Sequence, residues 1–229
     1  MGSYFSPAQI LQAEQELPGV RFEFHASRLG MLPFTRPILD AYLKITQSRW
    51  ISCHISMLSP LEVHLGLRWQ KYVRFSRPDK AQARLIENTR RLCASTQLPV
   101  ILENLPGFPS PHHHFECDPR IMSQILRATD CGLLLDLEHA RVGAMHRGLQ
   151  PEAFLELLPL ELTRQIHVSG PRMRGAWLYD AHEPLAEPDY ALLEWTLARA
   201  QPDVVTLEYY REPEALREQI LRLQKILAR

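Results

Sequence analysis

Histidines and acids recur at matching places along this chain. Short apolar segments end in, or close to, a side chain able to hold a metal ion: His25 in VRFEFH, His54 in WISCHIS, Glu103 in PVILEN, Asp136 in GLLLDL and Glu208 in DVVTLEY. His167 lies inside QIHVS, His139 follows Asp136 by three residues, and WLYDAHEPL adds Asp180 and His182, two residues apart. One such residue alone is more often a satisfied core or rim side chain. The joint pattern is different, because each ionisable group buried without compensation costs on the order of several kcal/mol. A multivalent cation compensates carboxylates and neutral imidazoles together. Imidazole with carboxylate and no positioned thiolate suits iron, manganese or catalytic zinc, and argues against copper(I) or a structural cysteine–zinc site. The candidates are too many for one ion; two or three ions bridged by carboxylates would use them all. Asp180 and His182 turn to the same side if the DAH segment is extended.

Such convergence needs a fold that gathers strand ends. Strand-like runs at 20–25, 50–56, 99–104, 132–137, 165–169 and 203–209 alternate with segments of helical spacing at 36–47, 78–97, 118–129, 151–164, 188–201 and 213–228. Pro78 and Asp79 open one helix as a start signal would, and Leu216, Ile220, Leu223 and Ile226 form an apolar stripe on the last. Strand then helix, repeated, predicts an α/β fold with a parallel sheet covered by helices, whose C-terminal strand ends share the active rim. An open doubly wound sheet and a closed (β/α) barrel both fit the pattern, but no GxGxxG or Walker loop follows the first strand. The residues between QIHVS and DAHEPL are too few for a crossover and read as an arm folding back over the rim.

The totals narrow the partners. Lys and Arg balance Asp and Glu at 26 each, which leaves no global field for nucleic acid. No apolar run reaches the roughly eighteen residues of a membrane span, and the N-terminus lacks a signal-peptide core. Cysteines 53, 93, 117 and 131 form no CxxC pair and read as reduced thiols of a cytoplasmic protein. Residues 1–229 suffice for a single metal-binding barrel domain. Ser169 has no nucleophile elbow around it, and Cys53 points away from His54 in a strand, which suits packing. His112, His113 and His114 lie in a Pro-rich loop and read as a lid or an adventitious metal binder, outside the core site.

Taken in order from residue 25 to residue 208, the pieces form a resemblance. The strand ending in His25, SCH at 52–54, LEN at 102–104, LLLDLEH at 133–139, IHVSG at 166–170, DAHEPL at 180–185 and TLEYY at 206–210 resemble the multinuclear non-heme iron-dependent oxidative enzymes. That family was long described as a domain of unknown function and includes the methanobactin-biosynthesis oxidase. The resemblance implies a xylose-isomerase-like TIM barrel, missing or irregular at its first strand, since only the helix-like SPAQILQAEQELPG precedes the strand ending in His25. It implies His25, His54, Glu103, Asp136, His139, His167, Asp180, His182 and Glu208 as ligands to two or three irons of mixed Fe(II)/Fe(III) state, with dioxygen as co-substrate. The implied reaction is oxidative modification of a ribosomally synthesised precursor peptide, often at Cys or Asp, beside a separate protein that recognises the leader peptide. A homo-oligomer stays open.

This chain departs from the family pattern in three places. His139 stands where members typically have Asn, Pro171 where His often follows the glycine of HxxG, and Tyr210 where Asp often follows the last Glu. Asn104, Arg28, Arg141, Arg172 and Arg174 lie just after strand ends and are the candidates for substrate contact. The rival expectations are a divalent-metal hydrolase or sugar isomerase on the same barrel, and a non-catalytic metal-binding scaffold for a peptide.

Overall fold

A computed structural model of the chain describes residues 7–16, 23–26, 36–55, 78–106 and 117–228. Two compact units divide it: Met1–Leu102 with Ala128–Cys131, and Glu103–Arg127 with Gly132–Arg229. Arg28 and the run His112–His114 lie outside the described residues, as do residues 20–22 of the first expected strand.

The first unit holds α1 (Pro7–Glu16), β1 (Phe24–Ala26), α2 (Arg36–Thr46), β2 (Ile51–His54), α3 (Pro78–Ser95) and the start of β3 (Val100–Glu103). β1 and β2 run parallel, with His25 opposite Ser52. Ile51, Cys53, Ile101 and Leu102 are almost wholly buried. Cys53 therefore packs inward while the neighbouring His54 keeps partial exposure, as alternation along a strand requires. No disulfide links the cysteines. The Cys93 and Cys131 sulfurs lie 3.6 Å apart, and burial pushes the Cys131 thiol up to about 12.

The second unit holds most of α4 (Pro119–Thr129), β4 (Gly132–Asp136), α5 (Leu137–His146), α6 (Pro151–Leu155), β5 (Thr163–Val168), β6 (Gly170–Arg174), β7 (Trp177–Glu183), α7 (Glu187–Leu197), β8 (Val204–Leu207) and α8 (Pro213–Leu227). β4, β5 and β8 form one parallel ladder, in which Asp136 lies opposite His167 and His167 opposite Thr206. Leu133, Leu134, Leu135 and Ile166 are fully buried, the unbroken apolar run expected of parallel strands covered on both faces. The ladder brings acid and imidazole to one end because Asp136, the last residue of β4, pairs with His167, one residue from the end of β5.

Three elements differ from the sequence expectation. The helix expected over 151–164 stops at Leu155; Pro159 interrupts it, a 3-10 turn spans Leu160–Leu162, and β5 begins at once. α5 was not expected at all. It buries Leu137, Glu138, His139, Ala140, Val142, Gly143 and Ala144, so no polar face marks it as an amphipathic helix. The arm after His167 is an antiparallel hairpin, β6 against β7, turning at Gly175 with φ of 63°, the left-handed value that tight hairpin turns need. Gly170 begins it, where a Cβ would meet Pro184 O at 2.3 Å, so only glycine permits that approach. Among the described residues, no helix is long and apolar enough to cross a membrane.

Candidate metal centre

Each ligand candidate of the second unit is set by the element that carries it. Asp136 ends β4 and caps α5, its Oδ1 accepting the His139 backbone N–H at 2.7 Å. That leaves Oδ2 facing the His139 ring at 3.8 Å. Asn104 fastens the corner: its amide donates to Asp136 O at 3.0 Å and accepts from Asp136 N at 2.9 Å. Its own carbonyl receives His139 Nδ1 at 2.8 Å, and since a carbonyl only accepts, Nδ1 carries a proton. The nitrogen left for a cation is Nε2, which lies 3.3 Å from Asp180 Oδ2. Asn104, expected to meet substrate, thus uses both ends of its amide to hold β4 and α5.

Glu103 stands at the centre. Its Oε1 lies 3.6 Å from His139 Nδ1 and 3.5 Å from His167 Nδ1, and its side chain is almost fully buried. His167 Nδ1 also faces Glu208 Oε1 at 3.1 Å, and Glu208 Oε2 reaches His182 Nε2 at 3.3 Å. His182 in turn lies 3.5 Å from Asp180 Oδ1. Three sets of donor atoms are each close enough to hold an ion: Glu103 with Asp136 and His139, Asp136 with His167 and Glu208, and Glu138 with Asp180 and His182. Because Asp136 belongs to two sets, ions placed there would share a carboxylate.

Glu138 escaped the sequence reading, although it lies in the same LLLDLEH run as Asp136. Buried in the first turn of α5, it accepts the Ser169 hydroxyl with one oxygen and Ala181 N–H at 2.7 Å with the other. Arg211 holds the opposite side of the same residue, donating to Ala181 O at 2.7 Å. Ala181 is thereby fixed between the two ligand candidates Asp180 and His182. His182 has φ of 48°, so the extended alternation expected for DAH breaks at its third residue.

In the first unit, His25 and His54 approach edge to face with ring centroids 5.0 Å apart, and His25 Nδ1 lies 3.0 Å from Ser52 Oγ. Of the arginines expected near substrate, the three described have protein partners. Arg141 pairs with Asp189 of α7 and Arg172 with Glu183, while Arg174 lies over the Tyr179 ring.

Burial and mutual contact shift the acids and imidazoles of the cluster strongly. Burial, together with Glu208 and Glu103 nearby, pushes Asp136 up to about 7, despite the opposing pull of the histidines. Burial likewise raises Glu138 to about 7. Burial opposes charge on His167, but its bonds to Glu103 and Glu208 prevail and lift it to about 10. The bond to Glu208 raises His182 to about 9. Glu208 is held well below the carboxylate range, its bonds to His167 and His182 outweighing burial. At pH 7 the metal-free chain therefore keeps protons on His167 and His182, and a cation must displace them. Metal binding is expected to release protons at pH 7, and apparent affinity to climb as pH rises towards 9 and 10. Calorimetric titration in buffers of different ionisation enthalpy reads this directly; proton uptake on binding would contradict it.

The donors fit a hard or borderline transition metal, since no cysteine enters any of these sets among the described residues. Solved structures place the scaffold. The chain superposes on a D-tagatose 3-epimerase-like protein with a TM-score of 0.58 at 17% identity, covering 97% of this chain and 84% of that one. A 3-keto-D-glucoside 4-epimerase from E. coli gives 0.51 at 14% identity, over 96% and 84%. Fold and site together define an α/β protein on a TIM-barrel-like scaffold with an acid- and histidine-rich strand-end cluster. The match over residues 37–228 is to the family described as RiPP precursor modification enzyme MbnB/TglH/ChrH, and the chain belongs to that family.

Curated relatives agree with that placement. A UPF0276 protein of Bordetella pertussis is 33% identical over 136 residues, 52% of this chain and 46% of its own length. One from Caulobacter sp. (strain K31) is 29% identical over 173 residues, 73% of this chain and 62% of its own. The chain thus spans about half the length of the curated relatives it matches.

Proposed function

We propose that this chain forms a single barrel domain that oxidatively modifies a ribosomally synthesised precursor peptide, using iron and dioxygen. The observation that carries the reading is the buried carboxylate pair Glu103 and Asp136, which lies among His139, His167 and Glu208 in two overlapping donor sets, in a member of a peptide-modifying family. The proposed ligands are Glu103, Asp136, His139, His167, Asp180, His182 and Glu208, with His25 and His54 as further donors and Glu138 as an oxygen donor beside Asp180 and His182. Bound iron, two or three ions of mixed valence, would supply the redox capacity to activate dioxygen, which carboxylate and imidazole lack.

The chain's own residues fix the donors: Asn104 holds the Asp136 corner, and Glu138 and Arg211 hold the backbone between Asp180 and His182. The hairpin face carrying Arg172, Arg174, Trp177 and Tyr179 is proposed to meet the peptide. A separate protein is proposed to hold the leader.

The test is anaerobic reconstitution with Fe(II), followed by oxygen electrode and mass spectrometry with a Cys- or Asp-containing precursor peptide encoded near the gene. Oxygen uptake coupled to a mass change on the peptide is the expected result. Tight binding of manganese or zinc, with no oxygen uptake in the iron form, would instead support a hydrolase or isomerase. Iron and peptide binding without turnover would support a scaffold.

A further inference from the structure

Gln165 and His167 lie two residues apart on β5 and so share a face; both are nearly inaccessible, at 4% and 3% exposure. The end of the Gln165 amide stands 3.0 Å from His167 Nε2 and 2.9 Å from the hydroxyl of Thr206, which is the partner of His167 on β8. The other ring nitrogen, Nδ1, is turned towards Glu103 and Glu208 at 3.5 and 3.1 Å. With Nε2 at that end, the amide donates to both neighbours. A half-turn about the last side-chain bond puts Oε1 in the same place.

The protonation state of His167 decides between the two orientations. For Nδ1 to offer a lone pair to a cation among the carboxylates, the ring proton must be on Nε2, which then donates and needs an acceptor. The imidazolium form, protonated on both nitrogens, needs the same acceptor. An amide NH2 there suits only the remaining tautomer, which aims Nδ1–H at the carboxylates and removes the ligand. Thr206 imposes no preference, because a hydroxyl donates or accepts. His139 shows the same arrangement from the other side: its Nδ1–H is satisfied by a carbonyl oxygen, that of Asn104, which leaves Nε2 to face Asp180 Oδ2.

We propose that Gln165 presents its carbonyl oxygen to His167 Nε2–H and to the Thr206 hydroxyl, and is the positioning residue that holds His167 as an Nδ1 metal ligand. The inference rests on the metal-centre reading above. A ligand histidine whose second nitrogen loses its acceptor typically loses about 10–100-fold in metal affinity.

The experiment uses the full chain loaded with Zn(II), a diamagnetic probe, and reads the protonated ring nitrogen of His167 by long-range 1H–15N correlation. Zn(II) affinity is measured in parallel for the wild type, Gln165→Leu and Gln165→Glu, each checked for folding by circular dichroism. The expected result is a proton on Nε2 and zinc on Nδ1 in the wild type. A 10–100-fold affinity loss is expected in Gln165→Leu, with near wild-type binding in Gln165→Glu, which keeps an acceptor oxygen. An unprotonated Nε2 in the zinc-loaded wild type overturns this proposal and leaves the metal centre standing, as does equal loss in the Leu and Glu variants. A wild-type chain that binds no zinc and no Fe(II) overturns both.

Discussion

Replacing Glu103 with alanine is expected to strip most of the metal from the anaerobically purified protein. The carboxylate is 1% exposed at the end of β3, and its Oε1 is within 3.6 Å of two imidazoles. Its removal takes an acid partner from both rings, leaving His167 with Glu208 and His139 with Asp180 and Asp136. Losing an outer-shell partner costs about 10–100-fold in affinity, and losing a shared ligand should exceed the lower bound of that range. Metal per chain, by mass spectrometry of the acid-digested protein, is the readout. Glu103→Gln should fall between wild type and alanine, because an amide oxygen still coordinates but carries no charge. Glu187→Ala, which removes an exposed partner of Arg222, should leave metal content alone. Unchanged metal in Glu103→Ala would remove the basis for a bridged centre.

Metal loading is expected to raise the melting temperature by roughly 8–16 °C. A ligand at about a thousandfold its dissociation constant stabilises the state it binds by about 4 kcal/mol, and a chain of this length gains about 2–4 °C for each kcal/mol. The physical origin is visible in the cluster. Asp136 and Glu138, raised to about 7, record how poorly the metal-free interior tolerates their ionisation. A cation removes that penalty and engages the same donors. Differential scanning calorimetry with and without Fe(II), reversed by a chelator, measures the shift. A melting temperature indifferent to both would mean that the cluster is compensated internally.

The sequence made some of this arrangement legible for a definite reason. β4 and β5 are buried on both faces, so Asp136 and His167 stand out as ionisable groups in otherwise apolar runs, and parallel connectivity puts them at one end. Where burial is complete, the same logic fails for helices. α5 has no polar stripe, and with it went Glu138, whose role depends on a backbone N–H of residue 181 that no local pattern announces. The arm after His167 was legible as folding back, but not as paired strands: GPRMRGAWLYD is largely exposed, and its pairing rests on the turn at Gly175 and the close approach at Gly170. Arg141 and Asn104 look available in a linear reading. Their partners, Asp189 and the Asp136 backbone, lie 48 and 32 residues away.

The left-handed backbone at His182 restricts how this position can change. Asn, Asp, Gly and His tolerate positive φ at low cost, whereas β-branched side chains do not. Three of those four also present a nitrogen or oxygen donor. A chain drifting at this site under selection for folding alone would thus tend to keep a metal-capable side chain. The hairpin would lose its hold on an ion by small steps in donor strength, while its shape persisted.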